Sequence, residues 1–192
     1  METIILASKS PRRKEILDLA GISYQVITAD TDESGVSHLS PPELVKALAK
    51  RKLSDVRRLY PADPRLILAA DTVVALDGVV FGKPRDEKDA ARMLAALSDS
   101  VHTVYTGIAM EKDGVLISDV AATDVYMRKL VPYEIDAYIK TGEPMDKAGA
   151  YGIQERGGVF VRRIDGDFYN VVGLPLHLVC VHLSEDFGIS VF

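Results

Sequence analysis

Cysteine is nearly missing from this chain: Cys180 is the only one, which excludes an intrachain disulfide and a cysteine-based zinc site. Set between Val179 and Val181, it reads as a small buried residue. Long apolar runs are missing too. No stretch approaches the ~20 apolar residues of a membrane span, and residues 1–6 show no basic flank followed by an apolar signal core. The expectation is a cytoplasmic protein without a membrane partner. A basic excess is also lacking. With 23 Lys and Arg against 28 Asp and Glu, the net charge is −5, which argues against a nucleic-acid polymer as partner. A small anionic ligand stays open, because local clusters matter more than the sum. Several familiar chemical signatures are absent as well: a P-loop, G-x-G-x-x-G after a strand, a G-x-S-x-G elbow and H-E-x-x-H. There is no internal repeat, low-complexity tract or linker, so 192 residues read as one domain spanning 1–192 with a sizeable core.

What is present centres on residues 66–74, Leu66-Ile67-Leu68-Ala69-Ala70-Asp71-Thr72-Val73-Val74. This almost unbroken apolar run reads as a strand buried on both faces, yet it carries a carboxylate and a hydroxyl. A carboxylate drawn into an apolar interior must neutralise, meet a cation or bind a metal. A cap at a strand end, satisfied by turn amides, is the structural alternative, and the strand by itself leaves both open.

Residues 3–7 read as a short buried strand. Ser10 and Pro11 then open a helix as N-cap and first position, and Gly21 closes it. Arg12 and Arg13 stand in its first turn, where cations oppose the positive end of the helix dipole. Free helix amides beside two arginine forks describe an anion site, while pairing with an acid such as Glu15 is the plainer alternative. Residues 24–28 alternate as a strand leading into the acidic loop Asp30-Thr31-Asp32-Glu33, either a divalent-cation site or a solvated turn. Ser40-Pro41-Pro42-Glu43 has capping-box spacing and starts a basic helix running to about Tyr60. Asp77-Gly78 signals a hairpin, whose return arm delivers Lys83 between Gly82 and Pro84. Asp86 caps the next helix. Residues 102–110 and 115–127 read as strands joined at Asp113-Gly114, 131–140 as a helix closed by Gly142, 159–164 as a strand, and the chain ends in a helix past Pro175. His177 and His182, five apart, lack the spacing of a helical metal pair and read as structural. Carboxylates at Asp71 and Glu33 with cations at Arg12, Arg13, Lys52 and Lys83 suit a metal-bound polyphosphate. Composition leaves open which bond is broken.

Six stretches, in order along nearly the whole chain, closely resemble the Maf family of nucleoside triphosphate pyrophosphatases: residues 5–13 (Ile5-Leu6-Ala7-Ser8-Lys9-Ser10-Pro11-Arg12-Arg13), 70–74, 82–84, Leu97-Ser98 with 102–107, 146–154 and 170–175. The resemblance implies an elongated, two-lobed α/β fold like that of inosine triphosphate pyrophosphatase. Its mixed twisted sheet would have flanking helices and a central cleft, and the protein would often be a homodimer. It implies hydrolysis between the α and β phosphates, giving a nucleoside monophosphate and pyrophosphate, with Mg²⁺ or Mn²⁺. Residue by residue, Asp71 matches the proton acceptor and a metal ligand, Glu33 the acidic metal-loop position, and Ser8, Arg12, Arg13, Lys52 and Lys83 the phosphate-binding groups. Arg13, Thr72 and Gln154 resemble the set that marks the dTTP/UTP branch. Two positions depart from the pattern: Asp99 and Glu155 each stand where glycine is usual. A non-catalytic nucleotide-binding regulator of cell division is the alternative, and the full set of carboxylates and cations weighs against it, since a sensor needs no general base.

Overall fold

In the computed structural model, residues 2–191 are described; residues 1 and 192, the ends of the expected domain, lie outside them. Seven strands form one mixed sheet in the order β2-β1-β3-β5-β6-β7, with β4 paired to β3. They are β1 (Ile4–Leu6), β2 (Tyr24–Val26), β3 (Ile67–Leu76), β4 (Val79–Phe81), β5 (Val101–Lys112), β6 (Val115–Met127) and β7 (Val161–Asp165). The helices are α1 (Pro11–Leu19), α2 (Pro41–Leu59), α3 (Glu87–Leu97), α4 (Pro132–Ile139), α5 (Phe168–Val172) and α6 (Leu176–Glu185). The mixed α/β architecture matches the expected class. The chain divides into two compact units, one of Met1–Asp71, Thr106–Ala121 and Gly173–Phe192, the other of Thr72–Tyr105 and Ala122–Val172.

In the first unit β1 pairs in parallel with both β2 and β3, Ile5 standing opposite Gln25 and Ile67. Alternation along a strand places Ile67, Ala69 and Asp71 on one face of β3. On that face Ile67 and Ala69 join Ile5, Ala7 and Ala109 in a buried cluster with Ala49, Leu53 and Val56 of α2. Helix α2 begins as its sequence dictates, the Glu43 carboxylate accepting from the Ser40 amide at 3.2 Å and its hydroxyl at 2.6 Å. It lies unusually close to the sheet at Gly107, where a Cβ would come within 2.5 Å of the Val45 carbonyl carbon. Only glycine permits that approach.

The second unit is built on the β3–β4 hairpin, in register with Leu76 opposite Val79. Asp77 at φ 50° and Gly78 at φ 78° form the turn that the right-handed strand twist demands. The Asp86 carboxylate caps α3 by accepting from the Asp89 amide at 2.7 Å. Its core gathers Met93, Leu94 and Leu97 of α3 with Val104, Val125, Ile135, Tyr151 and Phe160. Residues 143–160 hold three short 3-10 turns, and α5 is a single turn that the sequence reading passes over.

Three expectations need correction. Strand β2 stops at Val26 rather than Thr28: its register with β1 ends where Val26 stands opposite Leu6, the last residue of β1, and the Ile27 amide closes the edge by donating to the Leu6 carbonyl at 3.2 Å. Cys180 is half-buried rather than buried, since its neighbour Val179 takes the inward position on α6. Ser10 occupies the N-cap position of α1, but its side chain makes no capping bond. Its amide instead donates to Ser8 Oγ at 3.2 Å.

Candidate active site

Asp71 lies in the middle of β3 and is only 8% exposed, so it is not a strand-end cap. Of the fates open to a buried carboxylate, it has met a cation: Lys52 Nζ donates to Asp71 Oδ1 at 2.5 Å. Lys52 arises from the helical period. It follows Val45 by two turns and sits beside Ala49 and Leu53, at the edge of the stripe that packs on the face Asp71 shares. The same ammonium reaches Glu33 Oε1 at 2.8 Å, so one lysine joins the strand carboxylate to the acidic loop. Burial pushes the Asp71 pKa up; Lys52 and, less strongly, Arg13 pull it back, and the net direction is upward.

Arg13 answers the anomaly at the start of α1. Its Nε donates to the Gly173 carbonyl at 2.8 Å, and its Nη1 donates to Ser8 Oγ at 3.0 Å and to the Ala70 carbonyl at 2.8 Å. The guanidinium therefore joins the turn after β1, the backbone beside Asp71 and the Gly173 segment. Burial opposes its charge while Asp71 favours it, and its pKa is lowered overall. Ser8 is buried under it. Arg12, next along the same turn, is half-buried and places a second positive charge near Arg13.

The acidic loop is ordered by its own chemistry. Asp32 Oδ1 accepts from the Ser34 amide at 2.8 Å, and Arg51 Nη1 donates to the carbonyls of Asp32 and Ser34 at 3.0 and 2.6 Å. Arg51, one residue from Lys52, thus holds the loop that presents Glu33. Two hard carboxylate ligands within reach of one nitrogen fit Mg²⁺ or Mn²⁺, which take one or two carboxylates and complete their shell with water and substrate phosphates. Among the described residues no cluster of three or more His, Cys, Asp or Glu could hold a metal unaided.

The other candidates belong to the second unit. Thr72 follows Asp71 and is half-buried; Lys83 is exposed in the loop after β4. The base of that loop is pinned where the Gly149 amide donates to the Gly82 carbonyl at 3.1 Å. Gln154 is exposed on the turn that follows. The first unit therefore brings together Ser8, Arg13, Glu33, Lys52 and Asp71, and the second joins the Lys83 loop to the segment leading to Gln154. Sequence reasoning missed the backbone partners of Arg13 and the role of Arg51. It also missed the buried pair in which His102 Nε2 and the Tyr151 hydroxyl are 2.8 Å apart. Polar residues inside β-rich apolar runs, the signal that exposed Asp71, mark His102 as well.

A family model described as Maf-like protein matches residues 3–186. The chain is 47% identical over 192 residues to a dTTP/UTP pyrophosphatase of Bacillus pumilus, covering 100% of both chains. It is 46% identical over 192 residues to a dTTP/UTP pyrophosphatase of Alkaliphilus metalliredigens, covering 99% of each. A more distant solved structure, the Staphylococcus aureus Ham1 protein, aligns at TM-score 0.47 with 16% identity, over 66% of this chain and 72% of that one. A family match of this extent, over a chain that carries Asp71, Lys52, Glu33 and Arg13 in one constellation, places the protein in the Maf-like family.

Proposed function

We propose that this protein is a nucleoside triphosphate pyrophosphatase that cleaves dTTP and UTP between the α and β phosphates. The relatives named above support the class of activity, and the Lys52–Asp71–Glu33 constellation is the observation that carries the chemistry. Asp71 is the general base. With Oδ1 engaged by Lys52, its second oxygen accepts a proton from the attacking water as the water oxygen bonds to the α-phosphorus. The bond from that phosphorus to the bridging oxygen breaks, and pyrophosphate leaves. Burial raises the basicity of Asp71, which suits the role, while Lys52 keeps the carboxylate oriented.

Arg12, Arg13, Lys52 and Lys83 supply positive charge for phosphate oxygens, and Ser8 supplies a hydroxyl. Glu33 and Asp71 would hold Mg²⁺ or Mn²⁺, which when bound neutralises charge on the departing pyrophosphate. Gln154 offers one donor and one acceptor to the edge of uracil or thymine.

The test is pyrophosphate release from dTTP, UTP, dCTP, dATP and GTP with Mg²⁺ or Mn²⁺, run beside Asp71→Asn. Release from dTTP and UTP that is lost in the variant is expected. Nucleotide binding without release from any of them would replace this reading with the regulator.

A further inference from the structure

Gln154 is exposed on a turn, and an exposed glutamine reads a base well only if its backbone is held still. What holds it is a lysine that the reaction itself does not use. Lys147 is 5% exposed, yet its ammonium is held on three sides: it donates to the Glu143 carbonyl at 2.9 Å and to Asp146 Oδ1 at 2.8 Å, and it forms an ion pair with Glu155 Oε1 at 3.1 Å. Its stem lies against Gly152, where a Cβ would fall 2.5 Å from Lys147 Cε, so a side chain at 152 would push the lysine stem out of its present place.

A second set of bonds grips the same turn. The Gly152 amide donates to the Tyr138 hydroxyl at 3.2 Å, and that hydroxyl donates to Glu143 Oε1 at 2.8 Å. The Glu143 carboxylate also accepts from the amides of Arg156 at 3.2 Å and Gly157 at 3.0 Å. Gly152 and Glu155 are therefore fixed on either side, and only Ile153 and Gln154 lie between them. Glu155, one of the two departures from the family pattern, is the residue that ties the far side of the turn to Lys147.

Building on the dTTP/UTP reading, we propose that Lys147, acting through Glu155, is a positioning residue that fixes Gln154 and so sets the preference among nucleotide bases. The pair touches no reacting atom. Its effect is on where the Gln154 amide stands when the base arrives.

The experiment measures kcat and KM for pyrophosphate release from dTTP, UTP, dCTP and dATP in the wild type, in Glu155→Gln and in Lys147→Met, with melting temperatures alongside. Glu155 is half exposed, so Glu155→Gln keeps a folded protein even if Lys147→Met does not. The expected result is an about tenfold rise in KM for dTTP and UTP with kcat within about twofold, and an about tenfold fall in the dTTP-to-dCTP preference. A merely structural pair would lower the melting temperature and scale all four substrates alike. An unchanged preference in Glu155→Gln overturns the proposal. A wild type that releases pyrophosphate without preferring dTTP overturns the base-reading assignment as well, and is recognised before any substitution is compared.

Discussion

Lys52 sits between two carboxylates, 2.5 Å from Asp71 and 2.8 Å from Glu33, on a helix whose Arg51 and Arg57 bind elsewhere. A buried acid with its pKa raised is a group the folded state would rather hold uncharged. In the role of general base proposed for it, Asp71 gives up stability for chemistry.

The sign follows for Asp71→Asn. Because the folded-state pKa is raised, the carboxylate lowers stability once the pH exceeds its unfolded value, and the neutral amide removes that cost. Turnover should fall by at least about 1,000-fold, while the melting temperature stays level or rises by about 2–4 °C. Calorimetry beside a pyrophosphate assay checks both; an inactive variant that melts much lower would mean the residue is structural.

Gly107→Ala tests the close approach of α2. A methyl there collides with the main chain of Val45 and Lys46, not with a side chain that could turn away. Overpacking costs about 1–3 kcal/mol. The helix must move outward and carry Lys52 with it. Activity should drop more than stability predicts, visible as a lower kcat at temperatures where the variant is fully folded.

Arg13→Lys is not conservative here. One ammonium cannot reproduce the forked contacts to Gly173, Ser8 and Ala70. We expect kcat/KM to fall about 10- to 100-fold, with nucleotide affinity by calorimetry falling in step.

Two histidines give opposite pH signatures. His102 is buried as a neutral ring and its pKa falls to about 4 because burial penalises the imidazolium. The unfolded chain protonates first as pH drops, so stability is lost between about 6.5 and 4. His182 is raised: burial opposes its charge, but Asp186 at 2.7 Å and Asp119 at 3.2 Å outweigh it. Its contribution is full below its unfolded pKa and is lost as pH rises through the folded value. Unfolding curves of His102→Gln should flatten the acid side only, and those of His182→Asn the neutral-to-alkaline side only.

Glu33→Gln leaves the Lys52–Asp71 bond in place but removes one of the two carboxylates proposed above to hold the metal. The metal concentration giving half-maximal activity should rise about tenfold, with little change in kcat at saturating Mg²⁺. A titration with Mg²⁺ and Mn²⁺ measures it.

Much of this was readable from the chain. The Asp77-Gly78 and Asp113-Gly114 turns, the Glu43 capping box and the Asp86 cap act over four residues or fewer, and each appears where the spacing placed it. Asp71 was visible as a charge in an apolar strand. What stayed hidden is non-local. Six cations on α2 look alike in the sequence, and Lys52 is singled out only by the face on which Ala49 and Leu53 meet β3. Arg13 bonds to main-chain oxygens, which carry no sequence signal. The short turns across residues 143–160 obey no apolar period, because their order comes from Glu143, Tyr138 and Lys147 reaching across the loop.

Asp99 and Glu155 look equivalent as departures from glycine, yet they differ in kind. Asp99 has φ 56°, a left-handed conformation that favours glycine and that aspartate tolerates. The about 1–2 kcal/mol of local strain is offset in part by the about 0.5–1 kcal/mol that a glycine loses in chain entropy on folding. What distinguishes the two residues there is backbone conformation, so the letter at position 99 is a poor guide to which nucleotide a relative prefers. Under the positioning role proposed for Glu155, the letter at 155 is the one to compare.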